Sequence, residues 1–85
     1  MNTFETFKKY VNEHKISSII TRKSIMSRKM GLKVTVDKYR LWCTRAGYLK
    51  WKSRGVYKLT KKLPESISSR SLGKKAYPNT WNKNW

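Results

Sequence analysis

The sequence predicts one small α+β domain: three helices, then a two- or three-stranded β-hairpin unit, with a C-terminal extension. Apolar residues recur at three- and four-residue spacing through the first half, and the period falls to two directly after Gly47. A chain of 85 residues holds one core and no second. Hydrophobic residues are only 38% of it, but four Trp, five Tyr and two Phe carry large burial area and can seed a compact aromatic core. The domain is expected over residues 1–63, with 64–85 as an extension that is partly helical or disordered.

Asn2 or Thr3 caps a first helix over about residues 3–14, and Glu5 follows Asn2 at capping-box spacing. Phe4, Phe7 and Val11 form its core stripe, with Tyr10 nearby and His14 as a surface or capping residue at its end. Ile16 to Ile20 is short and β-branched, which predicts a brief strand. Thr21 caps a second helix over 22–30, with Ile25, Met26 and Met30 on one face and Gly31 placed to close it in the left-handed conformation. Thr35 is then expected to cap a third helix from Val36 to Ala46, closed by Gly47. Asp37 falls at the second position of that helix, where a carboxylate meets the positive end of the dipole.

Beyond Gly47, Tyr48 to Lys52 and Val56 to Thr60 alternate around Ser53-Arg54-Gly55, a hairpin with a basic tip. Leu49, Trp51, Tyr57 and Leu59 are expected to anchor it to the core. Leu63-Pro64 ends it, because proline lacks the donor a central strand needs. Residues 69–76 fit one weak helix, and 78–85 are expected to be poorly ordered unless Trp81 or Trp85 docks.

Twenty-one Lys and Arg face four Asp and Glu, a formal charge of +17 at a pI near 10.5. Such an excess resists folding by self-repulsion and is the electrostatic footprint of phosphate-backbone binding. The segments 1–47, 48–62 and 63–85 all carry it, so it is not a basic tail on a neutral domain. The same inventory offers little for catalysis. Glu5, Glu13, Asp37 and Glu65 are scattered, His14 is the only histidine, and no pair of glycines has phosphate-loop spacing. Cys43 and His14 fall short of the four ligands of a structural zinc site. No enzymatic activity, metal or cofactor is expected.

Lone Cys43 cannot pair within the chain, and it reads as a small core residue of the third helix. The start Met1-Asn2-Thr3-Phe4 lacks the charged-then-apolar pattern of a secretion signal, and no apolar run approaches the roughly 18 residues of a membrane span. The expectation is an intracellular protein, cytoplasmic or nucleoid-associated, or in the host cytoplasm if viral, with no membrane partner.

Two short helices separated by a glycine-started turn form a helix-turn-helix pattern. At about 100° per residue, Val36, Tyr39, Cys43 and Ala46 of the third helix face the core, whereas Lys38, Leu41 and Arg45 face outward. Trp42 flanks that outward face on one side, Asp37 and Thr44 on the other, and Arg40 lies beside the core stripe. An outward face of this kind fits the DNA major groove, where Lys or Arg donates to guanine. Lys50, Lys52, Arg54 and Lys58 of the hairpin make a cationic ribbon for phosphates, and Arg22, Lys23, Ser24 and Arg28 of the second helix can join it.

The order helix, strand, helix, turn, helix, basic hairpin resembles the winged helix-turn-helix domain over residues 3–62. The local match is Cys43-Thr44-Arg45-Ala46-Gly47-Tyr48-Leu49, followed by Ser53-Arg54-Gly55-Val56-Tyr57-Lys58-Leu59 as the wing. The Tyr48-Leu49, Arg54-Gly55-Val56-Tyr57 and Leu63-Pro64-Glu65 runs are also similar to those of small phage-encoded proteins. The resemblance implies a duplex DNA-binding transcription regulator or architectural factor, a monomer or weak homodimer. Lys38, Leu41, Trp42 and Arg45 would then meet bases, and Arg22, Lys23, Ser24, Arg28, Thr35, Lys50, Lys52, Arg54 and Lys58 the backbone. The alternative is a winged-helix interaction module or inhibitor that docks its basic face on an acidic protein.

Overall fold

The computed structural model describes residues 2–77 and has an α+β architecture of four helices and a three-stranded antiparallel sheet among them. The elements run α1 (Thr3–Asn12), β1 (Ile19–Thr21), α2 (Arg22–Ser27), α3 (Lys33–Ala46), β2 (Leu49–Ser53), β3 (Val56–Leu59) and α4 (Ser69–Ala76). Residues 78–85, expected to be poorly ordered, lie outside the described residues.

Local chemistry explains most of the boundaries. The Asn2 side chain accepts from the Glu5 backbone N–H at 2.8 Å, and that of Thr21 accepts from Ser24 N–H at 3.1 Å, each satisfying an orphan donor of a helix start. Ser68 caps α4 in the same way through Ser71 N–H. At the far end of α3, Gly47 takes φ 92°, the left-handed conformation that closes a helix at least cost in glycine.

Three expected boundaries differ. The first strand begins at Ile19 rather than Ile16, because Ser17 turns at φ 75° and leaves Ile16 exposed. α2 stops at Ser27, three residues early, and the left-handed residue is Lys29 at φ 51° rather than Gly31. Gly31 serves a close approach instead, since a Cβ there would lie 2.6 Å from Thr3 Oγ1 at the start of α1. α3 starts at Lys33 with Leu32 as its cap residue and no side-chain cap bond, so Thr35 lies inside the first turn. The Val36 N–H, bonded to Leu32 O at 3.0 Å, is already helical, and Val36 is buried in the core; packing decided the start over capping propensity.

The sheet order is β1-β3-β2, so β3 is central and β1 crosses to it from before the helix pair. Ile20 pairs with Tyr57 and Trp51 also pairs with Tyr57, while Leu49 pairs with Leu59. Strand alternation puts Ile20, Leu49, Tyr57 and Leu59 on the helix-facing side, where all four are buried. The core joins them to Phe4, Phe7, Tyr10 and Val11 of α1, Ile25 of α2, Val36 and Cys43 of α3, and Leu63, Ile67 and Leu72. Tyr39 meets Phe4 edge-on at 5.1 Å, adding a favourable quadrupole interaction to the burial.

The segment after the hairpin is fastened to α1 by polar side chains. Asn12 donates to Leu63 O at 2.8 Å and accepts from Leu63 N–H at 2.9 Å. Lys8, 7% exposed, donates to Glu65 O, Ile67 O and the Glu5 carboxylate at 2.6 to 3.1 Å. A buried ammonium is tolerated here because its three donors all find acceptors. α4 then packs on α3, burying Leu72 and Ala76, and coincides with the helix expected over 69–76.

Candidate nucleic-acid interface

Three basic elements meet at one surface. The Arg22 backbone N–H, first residue of α2, donates to Gly55 O of the hairpin turn at 2.8 Å. The Arg22 side chain reaches Asp37 on α3 at 3.1 Å. Asp37 is shared with Arg40, whose Nε lies 3.0 Å away and whose Nη1 donates to the Tyr57 hydroxyl at 2.7 Å. The start of α2, the middle of α3 and the tip of the β2–β3 hairpin are thereby tied together through one carboxylate and one carbonyl.

Asp37 is therefore not the helix-dipole partner expected from its spacing, since the early start of α3 places it past the first turn. It neutralises two arginines instead. Its burial pushes the pKa up, but the hydrogen bonds and charges of Arg40 and Arg22 prevail and hold the carboxyl below its ordinary value. Arg40 is nearly enclosed, with its side chain 12% exposed and its guanidinium against the Tyr57 ring, so it is a structural cation.

The other acids are elsewhere. Glu5, Glu13 and Glu65 line an open groove of about 430 Å³ on α1, together with Lys8, Lys9 and Asn12. Glu5 is paired with Lys8, and Glu13 with Arg28 at 3.5 Å. Of the residues in α2, α3 and the β2–β3 hairpin, Asp37 is thus the single acid, which two arginines already neutralise, while the same elements carry Arg22, Lys23, Lys33, Lys38, Lys52 and Arg54. Such a one-signed surface focuses field on a polyanion.

The expected contact residues divide by position. Lys38, Leu41 and Arg45 lie on the outward face of α3. Lys38 Nζ rests 5.2 Å from the Trp42 ring, and Trp42 itself is partly buried against the core rather than outward. Arg45 turns toward α4, donating to Ala76 O at 3.2 Å with its guanidinium 4.4 Å from the Tyr77 ring. Ser24 is occupied by the Tyr10 hydroxyl at 2.8 Å, and Arg28 by Glu13 and the face of Tyr10. Lys50 and Lys58 are direct partners across the strands, on the sheet face opposite the helices. Arg22 is at the junction of the three elements, Lys23 and Arg54 adjoin the two bonded residues in sequence, and Lys52 is exposed on β2 beside the register shift between Trp51 and Ser53.

Alternation predicts an anchoring role for Trp51, but this side chain is 59% exposed, because β2 overhangs the core beyond Leu49. Two residues of the surface were not foreseen from sequence: Lys33 and Val34, which the early start of α3 adds to the helix. The signal was present as Val34, Lys38, Leu41 and Arg45, spaced four, three and four apart.

Cys43 is fully buried, and burial pushes its thiol up to about 12. His14 closes α1, with Nδ1 3.0 Å from Tyr10 O and its ring edge-on to Tyr10. No helix among the described residues is long and apolar enough to cross a membrane. No family model, curated protein or solved structure matches the chain.

Proposed function

We propose that this protein is a non-enzymatic, winged-helix-like duplex DNA-binding domain that sets α3 against the major groove and the start of α2 and the hairpin tip against flanking phosphates. The observation that carries this reading is the junction at Arg22, where three basic elements converge on one surface while three of the four carboxylates lie in another groove. The exposed face of a helix of 14 residues suits the width of the major groove, and cations on the neighbouring elements suit the backbone.

Affinity would come mainly from counterion release, so binding would be tight at low salt and modest in sequence preference. A gel-shift comparison of random duplex, single strand and structured RNA at two salt concentrations tests it. Duplex is expected to win at both; equal binding of all three would leave only a generic polycation.

A second reading is favoured by Leu32, Val34 and Trp51, which are 74%, 74% and 59% exposed. Large exposed apolar side chains amid basic residues also suit docking on an acidic protein. One acidic partner recovered after nuclease treatment, with no duplex binding by the purified chain, would select this reading.

A further inference from the structure

Resting on the duplex-binding reading, we infer that Val34 and Leu41 form an apolar reading stripe on α3 for thymine methyl groups, so that the chain selects methyl-bearing duplex rather than guanine contacts. On the helical wheel, Val34 and Leu41 point almost directly away from the buried Cys43, on the line that also holds Lys38 and Arg45. Val34 is 74% exposed and Leu41 39%. The two cations that would donate to guanine on this line are drawn aside, Lys38 onto the Trp42 ring and Arg45 onto Ala76 O and Tyr77. What is left at the centre of the exposed face is aliphatic.

The occupant follows from charge complementarity. This stripe is bordered by Lys33 and by the Arg22–Asp37 junction, with Lys23 and Arg54 beyond it, so the surface that would cover it is anionic at its margins and apolar at its centre. The major groove of A·T-rich duplex has that character: phosphates along its walls and the thymine C5-methyl on its floor. Seven residues of α-helix separate Val34 from Leu41 by about 10 Å, which is about three base-pair steps along the axis. The first residues of a groove-bound helix are those that approach base edges, and Val34 is the second residue of α3.

The test uses the full chain and one A·T-rich duplex of mixed sequence, prepared with thymine and again with deoxyuridine at every thymine position. Removing one buried methyl group changes an equilibrium about fourfold, so uracil substitution is expected to weaken binding by about fourfold to fifteenfold. The double variant Val34→Ala, Leu41→Ala is expected to bind the two duplexes equally, with its thermal unfolding midpoint within a few degrees of wild type because neither residue is in the core. A G·C duplex carrying 5-methylcytosine should bind wild type more tightly than its unmethylated form. Equal binding of thymine and uracil duplexes, with steep salt dependence retained, would overturn the methyl stripe and leave duplex binding standing. Absence of salt-dependent duplex binding would overturn both. A stable dimer in sedimentation without DNA, dissolved by Val34→Ala, would also overturn it, because this face would then be buried between two copies.

Discussion

Arg22 and Asp37 meet at 3.1 Å across the gap between α2 and α3, and the same carboxylate holds Arg40 at 3.0 Å. The only acid of the basic surface is therefore a fastener between the two helices as well as an electrostatic defect in the surface. Its two roles have opposite consequences when it is removed.

Asp37→Asn keeps the shape and discards the charge. Stability should fall by about 1–2 kcal/mol, because Arg40 is left nearly enclosed with a weaker acceptor. Affinity for duplex should rise, and the salt slope should steepen by about one, as Arg22 becomes available to a phosphate. Denaturant unfolding and titrations at several salt concentrations read the two effects separately. Lower stability together with lower affinity would place Asp37 outside the binding surface.

The same group sets an acid limit. A carboxyl whose folded pKa is depressed contributes stability that is fully present above its unfolded value and is lost as pH falls through the folded one. Asp37 is such a group, held below its ordinary 3.8 by Arg40 and Arg22 against the opposing effect of burial. Wild type should lose stability below about pH 4 in a step that Asp37→Asn lacks, measured by thermal melts across acid pH.

Lys8 and Asn12 test the attachment of the segment after the hairpin. Lys8→Met keeps an unbranched apolar stem but removes the ammonium over the Phe4 ring and orphans the carbonyls of Glu65 and Ile67. It should destabilise by about 2–3 kcal/mol, and Asn12→Ala by about 1–3. Neither should change the salt slope for duplex, whereas charge reversal at Arg54 should weaken all sequences alike and lower the slope. A slope change in Lys8→Met equal to that of Arg54→Glu would contradict the assignment of Lys8 to the fold and Arg54 to phosphate.

Gly47→Ala isolates backbone strain. The residue sits at φ 92° and a Cβ there would touch nothing within 4 Å. The cost should be about 1–2 kcal/mol, all of it from the left-handed conformation. Cys43, one turn earlier and fully buried, reports on the same region: native protein should resist alkylation at mildly alkaline pH and react only as it unfolds.

What was legible in the sequence was local. Asn2 with Glu5, and Thr21, announced two helix starts because capping is an interaction between near neighbours. Gly47 announced the end of α3, and the change of period announced the hairpin. Thr35 misled for the same reason: it has capping chemistry, but burial of Val36 and the Leu32 carbonyl set the start of α3 earlier. Trp51 alternates correctly with Leu49, yet alternation tells which face a side chain takes and not how far the core extends beneath it. The burial of Lys8 could not be read, since two of its three acceptors are 57 and 59 residues away and a lysine at a helical position ordinarily faces water. The candidate interface was half legible. Its charge and its helix were visible, but the pairing of Arg22 with Asp37 and the turn of Arg45 toward Tyr77 depend on elements that meet only in the fold.

Duplex phosphates are the proposed partner of this +17 chain, and the salt dependence of duplex affinity tests that partnership most directly. For about 6–8 phosphates contacted, the logarithm of affinity should fall with the logarithm of salt concentration at a slope of about −5 to −7. A nearly flat dependence would contradict it.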